Sequence, residues 1–162
     1  MKHRAIVSLC VATVLLSLDG VARAQATQYG PNVSHERART ALGSSMAEAR
    51  RQNLPMAVAV VDNSGQLVAF ERMDNTLTAS VAVAQDKAVS AAIWRRPTKV
   101  FQDVLAGGGV GLRVLNLRGA TAIEGGLPLV VDGKVVGGIG VSGGSAEQDG
   151  AVAKVGADAI GK

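Results

Sequence analysis

GGLPLVVDGKVVGGIGVSGGSAEQD, residues 125–149, decides the fold. The apolar runs Leu127 to Val131 and Lys134 to Val141 flank Asp132-Gly133, a dipeptide that tolerates the positive φ a tight hairpin turn demands. Ser142, Gly143 and Gly144 then form a turn. Ser145 is the N-cap of a closing helix to Ile160, with Ala151, Val152, Val155 and Ala159 on its inner face. The stretch also holds Gly138-x-Gly140-x-x-Gly143, the spacing of a dinucleotide fingerprint. That fingerprint belongs after the first strand of a parallel βαβ unit, with an acidic residue ~20 positions on at the end of the next strand. Here a hairpin precedes it and the last helix follows, and Asp158 falls inside that helix. The glycines instead mark a strand that another backbone or a ligand approaches closely. A glycine turn opening a helix has free N–H groups, so Ser142, Gly143, Gly144 and Ser145 are candidates for holding a carboxylate.

Working upstream, Met56 to Val61 and Gln66 to Arg72 flank the turn Asp62-Asn63-Ser64-Gly65 and form a first hairpin. Before it, Ser34 caps a helix whose apolar positions Ala38, Ala41, Leu42, Ser45, Met46 and Ala49 recur at three- and four-residue steps. Ala79 to Trp94 is a second helix, rich in alanine and valine. Arg95-Arg96-Pro97-Thr98 interrupts it, because the residue before proline is biased out of the helical region. Pro97 opens a shorter helix to about Leu105. Four glycines in Gly107 to Gly111 make a flexible connection, and Val114 to Leu117 and Ala120 to Ile123 read as short strand pieces. The order α-β-β-α-α-β-β-β-α with tight turns predicts an α/β (α+β) domain whose mainly antiparallel sheet carries packed helices.

The chain is 162 residues long, and its first part reads differently from the rest. Lys2, His3 and Arg4 precede the apolar run Ile6 to Leu18, and Ala22-Arg23-Ala24 offers small residues for cleavage, with Ala26 a second possible end. This is the pattern of a secretory signal peptide over 1–24, too short for the ~20 apolar residues of a membrane span. It implies a periplasmic or secreted protein with no stable membrane anchor. Residues 25–33 read as a flexible leader and 34–162 as the domain. Cleavage after Ala24 removes Lys2, Arg4, Arg23 and Asp19 and takes the formal charge from +4 to +2. So small a charge, without a basic patch interleaved with aromatics, argues against nucleic acid. The one cysteine, Cys10, leaves with the signal, which excludes disulfides and thiolate chemistry in the mature chain. His35 is then the sole histidine, which excludes a multi-histidine zinc site in one chain.

Several side chains remain as candidates for chemistry. Glu71 and Arg72 lie where a strand enters a loop and can reach a ligand. Lys87, on an otherwise apolar helix, reads as a snorkelling lysine or as a low-pKa base or carboxylate clamp. Arg95 and Arg96 satisfy a helix C-terminus or hold a carboxylate. His35 is a surface histidine or an axial ligand to haem iron. Asp149 suits the dipole at the start of the last helix.

Three blocks in order, PMAVAVVDNSGQLVAFERMD (55–74), AVAQDKAVSAAIWRRPT (82–98) and EGGLPLVVDGKVVGGIGVSGGSAEQD (124–149), resemble the haem-binding HbpS/GlcG-like family. The resemblance covers nearly everything from Ser34 onward. It implies a profilin-like sheet packed between helices and a homo-oligomer. It also implies a secreted binding protein for haem or a similar carboxylate-bearing small ligand. The alternative it carries is an enzyme or accessory acting on a small organic acid, with Lys87 and Glu71 for acid–base work. By the same resemblance His35 matches the histidine implicated in haem binding near the start of the first helix. Arg72, Arg95, Arg96 and the Ser142–Ser145 turn would then be available to propionates. Thr98 matches a threonine of structural role. The chain departs from many relatives at Gly150, where they carry another acidic residue.

Overall fold

In the computed structural model, which describes residues 28–161, one four-stranded antiparallel sheet runs in the order β2-β1-β4-β3. The elements are α1 (His35–Arg51), β1 (Ala57–Asp62), β2 (Leu67–Arg72), α2 (Ser80–Trp94), α3 (Thr98–Ala106), a 3-10 helix (Gly109–Asn116), β3 (Gly126–Val131), β4 (Lys134–Ser142) and α4 (Ala146–Asp158). Both hairpins turn where the sequence places them, at Asp62–Gly65 and Asp132-Gly133, with Asp132 and Gly133 at φ 49° and 71°. The central pair, β1 and β4, comes from opposite ends of the domain and joins the two hairpins, Ala57 lying opposite Ser142 and Asp62 opposite Gly137.

The two faces of the sheet are packed by different chemistry. On one, α1 and α4 cover Val58, Val60, Ile139 and Val141 with Met46, Met56 and Val152. α1 and α4 also touch each other, where the buried Ser45 hydroxyl donates to the Val152 carbonyl at 2.9 Å. The other face has side chains no larger than valine at its centre: Ala57, Ala59 and Val61 against Ala84, Ala88 and Ala92 of α2. Those three alanines follow at i, i+4 and i+8, so they form one stripe along the helix. Opposite them, Gly126, Gly138 and Gly140 leave the sheet without side chains. A Cβ on Gly138 would lie 2.3 Å from the Ala88 carbonyl oxygen, and one on Gly140 only 2.0 Å from that of Ala84. The helix backbone therefore rests on the strand backbone itself. This is the close approach expected from the glycine strand, and the approaching group is α2.

The sequence reading is corrected at two places. Val114 to Leu117 and Ala120 to Ile123 are not strands. Val114 sits in the 3-10 helix, and the loop beyond it is pinned by the Thr121 N–H bonded to the buried Ser90 hydroxyl at 3.0 Å. The glycines at 107–109 and 111 turn the chain back on α3, with Gly111 seated against the Val104 carbonyl, so the segment closes on the helix and not on the sheet. The leader is also not free of the domain. Val135 of β4 donates to the Gln28 carbonyl and accepts from the Gly30 N–H, both at 2.8 Å, and the Tyr29 hydroxyl donates to the Ile93 carbonyl at 2.9 Å. These bonds occupy β4 where β1 has already ended. The signal peptide and its cleavage sites lie outside the described residues, as do leader residues 25–27.

A methyl group at the glycine strip has nowhere to go, because its neighbours are backbone carbonyls that cannot rotate away. Gly140→Ala is expected to lower stability by about 3 kcal/mol, the upper end of core overpacking. Gly43→Ala, with nothing near its Cβ position, should be neutral or slightly stabilising through helix propensity. Urea denaturation of the two variants beside the parent checks the contrast.

Candidate functional site

The residues that suggest ligand chemistry fall into two separate places. The first is the end of the sheet where β4 passes into α4. Lys87, from the middle of α2, is 1% exposed, and its ammonium bonds Asp149 Oδ2 at 2.6 Å and the Val141 carbonyl at 3.0 Å. The side chain reaches around the sheet end past Gly125. That residue has φ 123°, and any Cβ on it would lie 2.8 Å from the lysine Nζ. Lys87 is thus neither snorkelling nor exposed as a base. It is a buried partner of a carboxylate 62 positions away.

The same carboxylate answers the question raised by the glycine turn. Asp149 Oδ1 accepts the Gly144 N–H at 2.9 Å. The Ser145 N–H is taken by Gln148 Oε1 at 2.8 Å, while the Ser145 hydroxyl caps the Gln148 N–H, a complete capping box. The Ser142 hydroxyl bonds that of Ser80 in a buried contact. The turn does hold an anion, as its chemistry predicts, but the anion is the chain's own. Its N–H groups are not open to a propionate.

Burial pushes the Asp149 carboxyl above its ordinary value, while the Lys87 ammonium and the N–H groups of Gly144 and Gly143 pull it back. A carboxyl that titrates higher folded than unfolded favours the fold in acid. Its contribution is lost as pH rises through the folded pKa. Lys87 is what makes the ionised form tolerable there.

The second place is a recess of about 280 Å³ between the start of α1 and β2. His35 and Arg39, one helical turn apart, stand at its rim. Leu42, Gly43, Val68, Ala69 and Phe70 line it, and Glu71 closes one side. His35 is exposed, which suits an imidazole meant for a ligand. Ser34 fixes the start of the helix through its bond to the Arg37 N–H, so the histidine is in the first turn as the sequence predicts. Glu71 is paired with Arg50 of the same helix at 2.9 Å. Arg39 is the recess-lining cation that the sequence reading missed. The available signal was its i+4 spacing from His35 on the polar side of α1.

The other candidates lie elsewhere. Arg72 sits opposite Ala57, whose side chain packs toward α2, so it is on the far face of the sheet from Glu71. Glu71 and Lys87 are separated in the same way, and the structure does not bring them together for acid–base work. Arg95 ends α2 in the left-handed region, φ 52°, with its guanidinium over the Tyr29 ring at 5.0 Å. Arg96 lies over Phe101 at 5.8 Å. Trp94 meets Phe101 edge to face at 5.7 Å and is a packing residue. Thr98 is fully buried, its hydroxyl accepting from the Gly126 N–H at 2.9 Å, which is the structural role expected of it. Among the described residues no group of three or more His, Cys, Asp or Glu side chains is gathered to hold a metal ion, and no helix is long and apolar enough to cross a membrane.

A glycine-backed sheet between an alanine-rich helix and a helix pair, with a histidine-rimmed recess on the outer strand, defines a small α/β domain. The family model "Haem degrading protein HbpS-like" matches residues 33–158, and the chain belongs to this family. It is 35% identical over 110 residues to Protein GlcG of Escherichia coli (strain K12), covering 68% of this chain and 81% of that protein. The crystal structure of HbpS superposes with a TM-score of 0.75 at 29% identity, over 83% of this chain and 94% of that one. The crystal structure of the PduOC:heme complex does so with 0.71 at 30% identity, over 80% and 95%.

Removing one partner of the buried pair strands the other charge. Lys87→Met is expected to cost about 3–5 kcal/mol. Lys87→Met combined with Asp149→Asn keeps an acceptor for the Gly144 N–H and should recover at least half of that loss. A double-mutant cycle in urea at neutral pH checks this, and an additive double variant would show that the two side chains do not stabilise each other.

Proposed function

We propose that this protein is a periplasmic or secreted homo-oligomeric binding protein for haem or a similar planar, carboxylate-bearing ligand, taken up in the recess between α1 and β2. One observation carries the reading. The only histidine of residues 28–161 stands at the rim of a recess with an arginine one turn away and Leu42, Val68 and Ala69 among its lining residues. The donor set fits the group. A neutral imidazole is a common axial ligand to haem iron, a guanidinium pairs with a carboxylate, and Val68 and Ala69 offer a small apolar surface to a ring, while the Phe70 side chain packs on the α2 face. Family membership and the relative solved as a haem complex support the same ligand.

In this reading His35 would hold the iron and Arg39 would hold a propionate. The bound iron would contribute ligand-exchange and redox chemistry. The chain's own part is to orient and to limit solvent. Arg50 holds Glu71 at the side of the recess, so the carboxylate is already neutralised and does not repel an anionic ligand. Arg72, Arg95, Arg96 and the Ser142–Ser145 turn have no part at this recess. Of the alternative, an enzyme or accessory for a small organic acid, the acid–base route through Lys87 and Glu71 is not assembled, because the two residues lie on opposite faces of the sheet, while the likeness to Corrinoid adenosyltransferase PduO supports an accessory role.

Titration of the purified protein with haemin, followed by absorption spectroscopy, tests the proposal. The expected result is a shifted Soret band that His35→Ala abolishes, with affinity at least about tenfold weaker. Arg39→Ala should weaken binding by about two- to fivefold, the size of an exposed ion pair, and leave the ligation spectrum unchanged. A His35→Ala spectrum that superposes on the parent would remove the axial role.

A further inference from the structure

Packing explains two of the three glycines that lie inside α-helices among the described residues. A Cβ on Gly156 of α4 would lie 2.3 Å from the Ser45 hydroxyl oxygen, and one on Gly150 would lie 2.5 Å from the Glu124 carboxylate. The third, Gly43, sits in the middle of α1 and has nothing within 4 Å of its Cβ position. Its φ is not positive, so the backbone does not ask for glycine there either. Glycine is the least favourable helix-interior residue after proline, because it loses the most backbone freedom on folding. The fold therefore carries a cost at Gly43 that no neighbouring group explains.

What adjoins Gly43 is the recess. It lines that space together with His35 and Arg39. The three follow at i, i+4 and i+8 and share one side of α1, with His35 and Gly43 about 12 Å apart along the helix axis. Arg50, two turns further along α1, holds Glu71 at the side of the same recess at 2.9 Å. A ligand held at His35 and lying in the recess extends along α1 toward Gly43. There it meets helix backbone in place of a side chain, the close approach that glycine permits. A flat ring gains most from this. Its whole face can reach contact distance, whereas a side chain at this position would lift it from the helix and forfeit dispersion contacts across the ring.

We infer that Gly43 is the specificity-determining position of the recess, its missing side chain admitting the face of a flat ring system against α1. The assignment rests on the recess between α1 and β2 being the ligand site.

Gly43→Ala and Gly43→Leu test it, with haemin as the probe and Thr40→Leu, at an exposed position of α1 outside the recess, as the control. Alanine and leucine are good helix formers and the site is open, so both Gly43 variants should unfold in urea at or above the parent's midpoint and sediment as the parent does. Followed by absorption, haemin should bind Gly43→Ala more weakly and Gly43→Leu at least about tenfold more weakly than the parent. The Soret position of the bound fraction should be unchanged, because His35 is untouched. Thr40→Leu should bind haemin as the parent does. A parent that does not bind haemin would overturn the proposed function together with this assignment. A parent that binds through His35, with Gly43→Leu matching its affinity or Thr40→Leu losing as much, would overturn the assignment alone. So would a Gly43→Leu variant that unfolds at lower urea or sediments differently from the parent, since either would show that the glycine is kept for packing.

Discussion

The contact of the α2 backbone with the glycine strip of β4 and β3 is the constraint from which the rest of this structure follows. Gly138 and Gly140 let the helix come to rest on the sheet with only alanine methyl groups between them. Dispersion and burial are gained there from backbone as much as from side chains, so the interface needs close approach where ordinary cores need bulk. At that distance a long side chain on the inner face of the helix has no room beneath it. Lys87 must run along the helix to the end of the sheet, and Gly125 leaves the passage open. The buried ion pair is a consequence of how near the helix lies.

That consequence rearranges the expected chemistry. A helix start and a glycine turn together favour an anion, and in this fold Asp149 fills the place from within. The ammonium that faces it is covered on all sides. A pair of this kind costs desolvation of both charges, and its contribution to stability is largest when measured by its disruption. The groups that would draw a ligand to this end of the sheet are already satisfied. The recess that the proposed ligand would use lies on the opposite face, where α1 presents a histidine and an arginine beside the outer strand.

Much of this was legible in the sequence because it is local. Asp132-Gly133 and Asp62–Gly65 each specify a hairpin by backbone conformation alone, and the Ser34 and Ser145 caps fix where two helices begin. The glycine strand was readable as a place of close approach, though not which element approaches. Lys87 was ambiguous because α2 is small-sided almost all round, so periodicity does not say which face is buried. Its partner is far along the chain, and pairing at such a distance leaves no local mark. The 114–123 segment misled because short apolar runs near glycines fit strand and 3-10 helix equally well. What separates them is the tertiary contact with α3, where Gly111 meets the Val104 carbonyl. Arg39 was hidden among the arginines of α1, and only the position of β2 beside that helix singles it out.

The two faces of the sheet differ in how they tolerate change. On the α2 side the glycine strip is bounded by backbone carbonyls at contact distance, and Gly138 and Gly140 have no room for a side chain. The α1–α4 side is filled with methionine, valine and leucine, whose flexible or interchangeable shapes allow compensating substitutions. Only the second face supports the recess. Descendants of this chain could therefore exchange the residues around the recess, and with them the ligand, while the α2 contact kept the same architecture. The fold behaves as a fixed half that preserves inheritance joined to a permissive half on which selection can act.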